Sequence, residues 1–284
     1  MHFVGAMNYL CTCIKPEIAL AMSKLAQQNA NPSPADAKHC YQLIRYLHTR
    51  RLDGITFRRS AEEGLRVYSD SNFADMDDPQ MFATSGTVVT YRSIPVAWKS
   101  KRQPTATDST HHAELLALHQ STKMALNFRY LLEEMDLAEK GLTTIYVDNE
   151  AVKFTAYHET IMSKNRHIKS KYFLVQDHVN KEVSVEWLRG SHNPADMLTK
   201  PLSSVDHSKH TDLLLSGIEQ ATPPKPSGRG GVPQLNGPPR SDSPPRGEPE
   251  IPTEGKDTLL SARAELTREP VLRLPSKPVL GILG

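Results

Sequence analysis

Leu65-Arg66-Val67-Tyr68-Ser69-Asp70-Ser71 reads as a β-strand that ends on a charge. Val67 and Ser69 fall on one face and Tyr68 and Asp70 on the other, because strand side chains alternate. A carboxylate closing an apolar, β-rich run is costly unless something meets it. A second run ends the same way, since Thr143 to Val147 leads directly into Asp148. If the two strands are neighbours, their acids converge. Two further acids sit where they could join them. Glu114 lies in the first turns of a helical stretch from about Asp108 to Met135, whose Leu115, Leu118, Met124, Phe128, Leu131 and Leu132 mostly fit one broad apolar face. Asp196 follows Pro194, a residue placed to open a last helix.

Working outward, Thr84 to Tyr91 and Val96 to Ser100 are β-rich and separated by Ser93-Ile94-Pro95, which suggests a hairpin. Helical stretches begin at Ala151 and Lys164, and Val183 to Leu188 is a final strand. Antiparallel strands first and helix-separated strands later imply an α/β protein with a mixed sheet covered by helices. From Phe3 to about Leu52 the pattern is helical, with stripes at Ile18, Met22 and Leu25 and at Leu43, Ile44 and Leu47. Between them Ser33 is placed as an N-cap before Pro34, so two helices should form a small antiparallel pair. After Gly217 the composition breaks: thirteen of the 21 prolines lie beyond residue 220, and such a segment buries too little apolar surface to offset its ordering entropy. Three regions follow: helical 1–57, an α/β domain 58–205 and a Pro-rich, mostly disordered tail 206–284.

The 284 residues are 38% hydrophobic and 23% charged, suited to one or two soluble domains. No apolar run approaches a membrane span and no signal peptide is read at the start, so no membrane partner is expected. Cys11, Cys13 and Cys40 have no pairing logic, which points to an intracellular, cytoplasmic or nuclear setting. A net charge of +2 argues for no nucleic-acid partner by itself. Local clusters do: Lys99, Lys101 and Arg102 in one string, and Lys164, Arg166, His167, Lys169 and Lys171 in another, are able to meet phosphates. A solvated basic face is the plain alternative.

Four converging carboxylates, Asp70, Glu114, Asp148 and Asp196, suit two Mg²⁺ ions about 4 Å apart, the apparatus of phosphodiester hydrolysis. Surface acids are common, and this chain has 32, so the argument rests on their placement. Other chemistries fail. His112-Ala113-Glu114 is half of a zinc deaminase motif, but every cysteine precedes residue 41. Tyr146-Val147-Asp148-Asn149 lacks the second acid of a polymerase turn. No glycine-rich phosphate loop or nucleophile elbow is present. His111 and His112 read as solvent-facing residues near a helix start.

At these strings, from about Phe3 to Leu202, the sequence resembles the ribonuclease H region at the C-terminal end of copia-type LTR retrotransposon Pol polyproteins. The markers are F-V-G-A-M-N-Y-L with K-P-E-I-A, L-I-R-Y-L, Y-S-D-S-N-F-A-D, T-S-G, W-K-S-K-R-Q, H-A-E, Y-V-D-N, R-H-I-K and A-D-M-L-T-K-P-L. The resemblance implies a ribonuclease H-like fold with a five-stranded mixed sheet flanked by helices. It implies endonucleolytic cleavage of the RNA strand of RNA–DNA hybrids with Mg²⁺ or Mn²⁺, with Asp70, Glu114, Asp148 and Asp196 as metal-binding catalytic acids. It implies that residues before about 58 are the tail of a reverse-transcriptase region, that reverse-transcriptase or Pol fragments are partners, and that an active element would act in a virus-like particle. His167 is given a phosphate-contacting or packing role. Asn72 and Phe73 depart from the Asp and Trp common at those places. The alternative to the enzyme is an inactive or domesticated module that binds nucleic acid or protein through the same fold. An integrase-type transferase uses three acids, and Asp196 counts against it.

Overall fold

Strand β1, Leu65–Asn72, is buried on both faces, and the rest of the molecule is arranged around it. The structure, a computed structural model, describes residues 2–57, 64–73, 82–137, 141–158 and 173–216. The sheet order is β3-β2-β1-β4-β5. Strands β2 (Thr84–Tyr91) and β3 (Ile94–Arg102) extend the sheet antiparallel on one side of β1. Strands β4 (Thr143–Val147) and β5 (Val183–Trp187) extend it in parallel on the other. Parallel neighbours need crossovers, and helices supply them: α4 (Thr110–Glu134) precedes β4, while α5 (Glu150–Tyr157) and the helical residues 173–178 (α6) precede β5. The expected five-stranded mixed sheet flanked by helices is therefore the observed architecture.

The alternation read at Val67 and Tyr68 separates two cores. Val67 packs with Val89, Leu115, Leu118, Ile145 and Val185 beneath α4. Tyr68 packs on the opposite face with Val88, Tyr146 and Met197, and its ring stacks on Tyr146 at 5.2 Å. The apolar face of α4 is shifted from the one read: Leu131 is exposed, while Leu116 and Leu126 join the buried positions.

The chain before β1 forms α1 (His2–Cys13), a 3-10 turn (Pro16–Ile18), α2 (Ala19–Gln27) and α3 (Pro34–Thr49), so a third helix precedes the expected pair. Ser33 caps α3 as read, and more fully. Its hydroxyl accepts from the Asp36 amide while the Asp36 carboxylate accepts from the Ser33 amide at 2.7 Å. Leu43 is buried and Leu47 packs against the core, but Ile44 faces outward. These helices share the Tyr68 core through Cys11, Ile18, Met22 and Leu25, and the Trp98 indole on β3 donates to the Cys11 carbonyl at 2.8 Å. A buried ion pair, Lys15 with Glu17 at 3.3 Å, adds to the joint, because the same ammonium donates to the Arg50 and Asp53 carbonyls beyond α3. These helices and the sheet fall within one compact unit.

Three further readings are corrected. The β2–β3 connection is Arg92-Ser93, both at positive φ (51° and 66°), a two-residue hairpin turn, and Ile94 and Pro95 already belong to β3. Pro95 is tolerated there because β3 is an edge strand and carries a register shift opposite Val89 and Thr90. Pro194 opens a five-residue 3-10 helix, Pro194–Leu198, rather than a full helix. Within the stretch expected to be tail from 206, the chain is helical: α7 (Ser204–Ser216) buries His210, Thr211, Leu214 and Leu215. Its polar, weakly periodic sequence hides that stripe. The proline-rich stretch lies outside the described residues.

Candidate metal centre

The parallel register pairs Tyr68 with Tyr146. Two residues further along both strands stand Asp70 and Asp148, on the same face by strand alternation, so the pairing itself brings the two carboxylates together. The antiparallel register supplies the third. Asp70 lies opposite Gly86 on β2, and the bare glycine lets the Pro194–Leu198 turn press against the sheet. A Cβ at Gly86 would stand 2.6 Å from Thr199 Cγ2 and 2.8 Å from the Ala195 carbonyl. Asn193 fastens this turn, its amide donating to the Ser69 carbonyl at 2.9 Å while its oxygen accepts from the Ala195 amide. Asp196 is delivered by that turn, and one oxygen each of Asp70, Asp148 and Asp196 lie within 4.8 Å of one another.

Glu114, expected as a fourth ligand, stands beside this triad and is not part of it. It comes from α4, the helix that packs on the other face of the sheet. Gln103 ties this helix start to β2, its amide donating to the Ala113 carbonyl at 2.9 Å and to the Ser85 hydroxyl at 2.8 Å. The electrostatics are those of crowded, buried acids. Burial, then the Asp196 charge, pushes Asp70 up to about 6. Burial and Asp70 push Asp148 up to about 6. Glu114 is raised to about 9 by burial and then by Asp70 and Asp148. Burial also raises Asp196, against the pull of Lys200. The Thr199 hydroxyl donates to Asp70 Oδ2 and lies 3.0 Å from the Asp196 carbonyl.

This set fits a hard divalent cation. The donors are all carboxylate oxygens, they repel one another, and the buried Asp196 Oδ1 has no hydrogen-bond partner. The basic residues do not form one cluster. Lys99 and Lys101 are exposed on the face that carries Thr87 and α4. Arg102 points to the opposite face, over the Phe82 ring, and lines a cleft with Lys200. Arg166 and His167, with Lys164, Lys169 and Lys171, lie outside the described residues. The histidines at the start of α4 are not solvent-facing. His112 pairs with Asp108 at 2.9 Å, and His111 lies 3.3 Å from the Thr155 hydroxyl on α5. Sequence reading passed over Gly86, Asn193, Thr199 and Lys200. Asn193 before Pro194 carried a readable cap signal, and Lys200 stands four residues after Asp196. Nothing local marks the roles of Gly86 and Thr199.

A mixed sheet of this order, a helix across one face and carboxylates meeting at the ends of its central parallel strands define a ribonuclease H-like fold with a metal-type acid cluster. No protein-family model matches the sequence. The retrovirus-related Pol polyprotein from transposon TNT 1-94 of Nicotiana tabacum is 27% identical over 199 residues, 69% of this chain. The chain spans only 15% of that polyprotein's length. A protein named secreted RxLR effector protein 161, of Plasmopara viticola, is 32% identical over 123 residues, 43% of this chain and 86% of that protein. Among solved structures, LC11-RNase H1 from compost aligns with a TM-score of 0.38 at 17% identity, covering 55% of this chain and 100% of that one. In sequence the chain is thus similar to part of a retrotransposon Pol polyprotein, and in architecture it is ribonuclease H-like.

Proposed function

We propose that the chain is a metal-dependent endonuclease that hydrolyses the RNA strand of RNA–DNA hybrids by a two-metal mechanism. The observation that carries this reading is the convergence of Asp70, Asp148 and Asp196 within 4.8 Å, with Glu114 beside them. Similarity to a retrotransposon Pol polyprotein supports it. Asp70, Asp148 and Asp196 would hold the ions, with Glu114 completing the set. When bound, Mg²⁺ or Mn²⁺ would supply activation of water and neutralisation of charge on the scissile phosphate. The chain's own residues prepare the place. Asp70, fully enclosed and held at one oxygen by Thr199, is the fixed point of the cluster. Glu114, raised to about 9, holds its proton at neutral pH, and a bound divalent cation would have to displace it. Lys200, next to Asp196, also lines a cleft of about 1070 Å³ with Arg102, positions suited to phosphate contact, while Lys99 and Lys101 offer a separate basic surface on the other face of the edge strand. No helix among the described residues is long and apolar enough to cross a membrane.

The test is the full chain with an end-labelled RNA–DNA hybrid. Cleavage of the RNA strand should require Mg²⁺ or Mn²⁺ and disappear in Asp70→Asn and Asp148→Asn. Hybrid binding without cleavage at any metal concentration would overturn the reading and leave a binding module in its place.

A further inference from the structure

Among the described residues, Lys200 is the one paired with an acid of the cluster, and it is built in. Its ammonium lies 3.0 Å from Asp196 Oδ2, one turn along the same segment. Its neighbours leave the backbone little choice. Thr199 is anchored through its hydroxyl to Asp70, and Pro201 limits the chain that follows. Asp196 in turn stands within 4.8 Å of the Asp70 and Asp148 oxygens, so the ammonium sits at the edge of the whole cluster.

We propose that Lys200 is a resident counter-cation that holds the acid cluster together in the metal-free protein and competes with divalent ions for Asp196. The inference rests on the metal-binding reading of the acids and deepens it. Three carboxylates and one ammonium leave two negative charges, enough for one divalent ion with the lysine in place. A second ion near Asp196 requires the ammonium to leave. The side chain is able to leave: it is 41% exposed, whereas that of Asp196 is 11% exposed, and it opens onto the cleft shared with Arg102, Thr84 and Leu202. Asp196 Oδ1 meanwhile has no partner and remains available to an incoming cation.

The experiment is calorimetric titration of Mn²⁺ into the full chain and into Lys200→Met, Lys200→Arg and Asp70→Asn, paired with thermal melting in EDTA and in saturating Mn²⁺. Removing a charge beside a divalent ion should lower the Mn²⁺ concentration for half-saturation by about tenfold in Lys200→Met, because unit charges a few ångströms apart interact appreciably even in a water-like medium. Lys200→Arg should stay near the parent. In EDTA, Lys200→Met should melt below the parent, and saturating Mn²⁺ should close or reverse the gap. Mn²⁺ affinity unchanged or weaker in Lys200→Met, with the parent binding and Asp70→Asn not binding, overturns the role of Lys200 alone. A parent that binds no Mn²⁺ overturns the metal reading with it.

Discussion

Gly86 has no side chain, and the site depends on that. Opposite Asp70, it is where the turn carrying Asp196 and Thr199 touches the sheet, and two of the three nearest atoms to an added Cβ belong to Thr199 and to the Ala195 backbone. Gly86→Ala should cost about 1–3 kcal/mol in urea unfolding, the usual range for overpacking a tight interior, and should weaken Mn²⁺ binding in the same preparation. Titration of the acids gives a second expectation at this scale. Asp70 and Asp148 are raised to about 6 and Glu114 to about 9, so the folded protein holds protons that the unfolded chain releases near pH 4. Their contribution to stability is present below about pH 4 and is lost as pH rises through 6 and then 9. Melting in EDTA should therefore fall between pH 5 and pH 8, and added Mg²⁺ should stabilise more at pH 8 than at pH 5. A metal-free melting temperature that rises over that interval would contradict the crowding of these acids.

At the scale of elements, local signals decided some boundaries and tertiary packing decided others. The cap of α3 was legible because Ser33, Pro34 and Asp36 form a local, reciprocal pattern. Ser33→Ala should cost about 1 kcal/mol, measured by chemical denaturation. The β2–β3 turn was misplaced because its two residues, Arg92 and Ser93, take positive φ without the glycine or asparagine that usually announces such a turn. Helix α7 was missed because its sequence is mostly polar, and only packing of Leu214 and Leu215, with the Leu215 carbonyl accepting from Thr56, makes it part of the core. Asp196 was expected on a helix and arrives on a 3-10 turn, whose tighter backbone fits the space over Gly86.

At the scale of the whole molecule, the segment before residue 58 is structural to the sheet. Met22, Leu25 and Leu43 cover the Tyr68 face, and Cys11 accepts from Trp98. Removing residues 1–57 should expose that face. The shortened chain should lose a single cooperative thermal transition and bind a hydrophobic dye such as ANS, where the full chain does not. A sharp transition at an unchanged temperature would show that the sheet folds without these helices.

The sequence by itself determined the strand that carries Asp70, the strand that leads into Asp148, the long helix bearing Glu114 and the order of the four acids, because strand alternation and helical periodicity are local. It also carried the strings by which the chain resembles retrotransposon Pol polyproteins. Only the tertiary structure decided that β1 and β4 are neighbours in register, that Gly86 admits the turn bearing Asp196, that Glu114 stands outside the triad, and that Arg102 parts from Lys99 and Lys101. Those outcomes depend on which surfaces meet across long sequence separations, and no local pattern encodes a space left open for another segment. The placement of Lys200 against Asp196 belongs to both. Its spacing was written in the chain, and its meaning came from the acids folded around it.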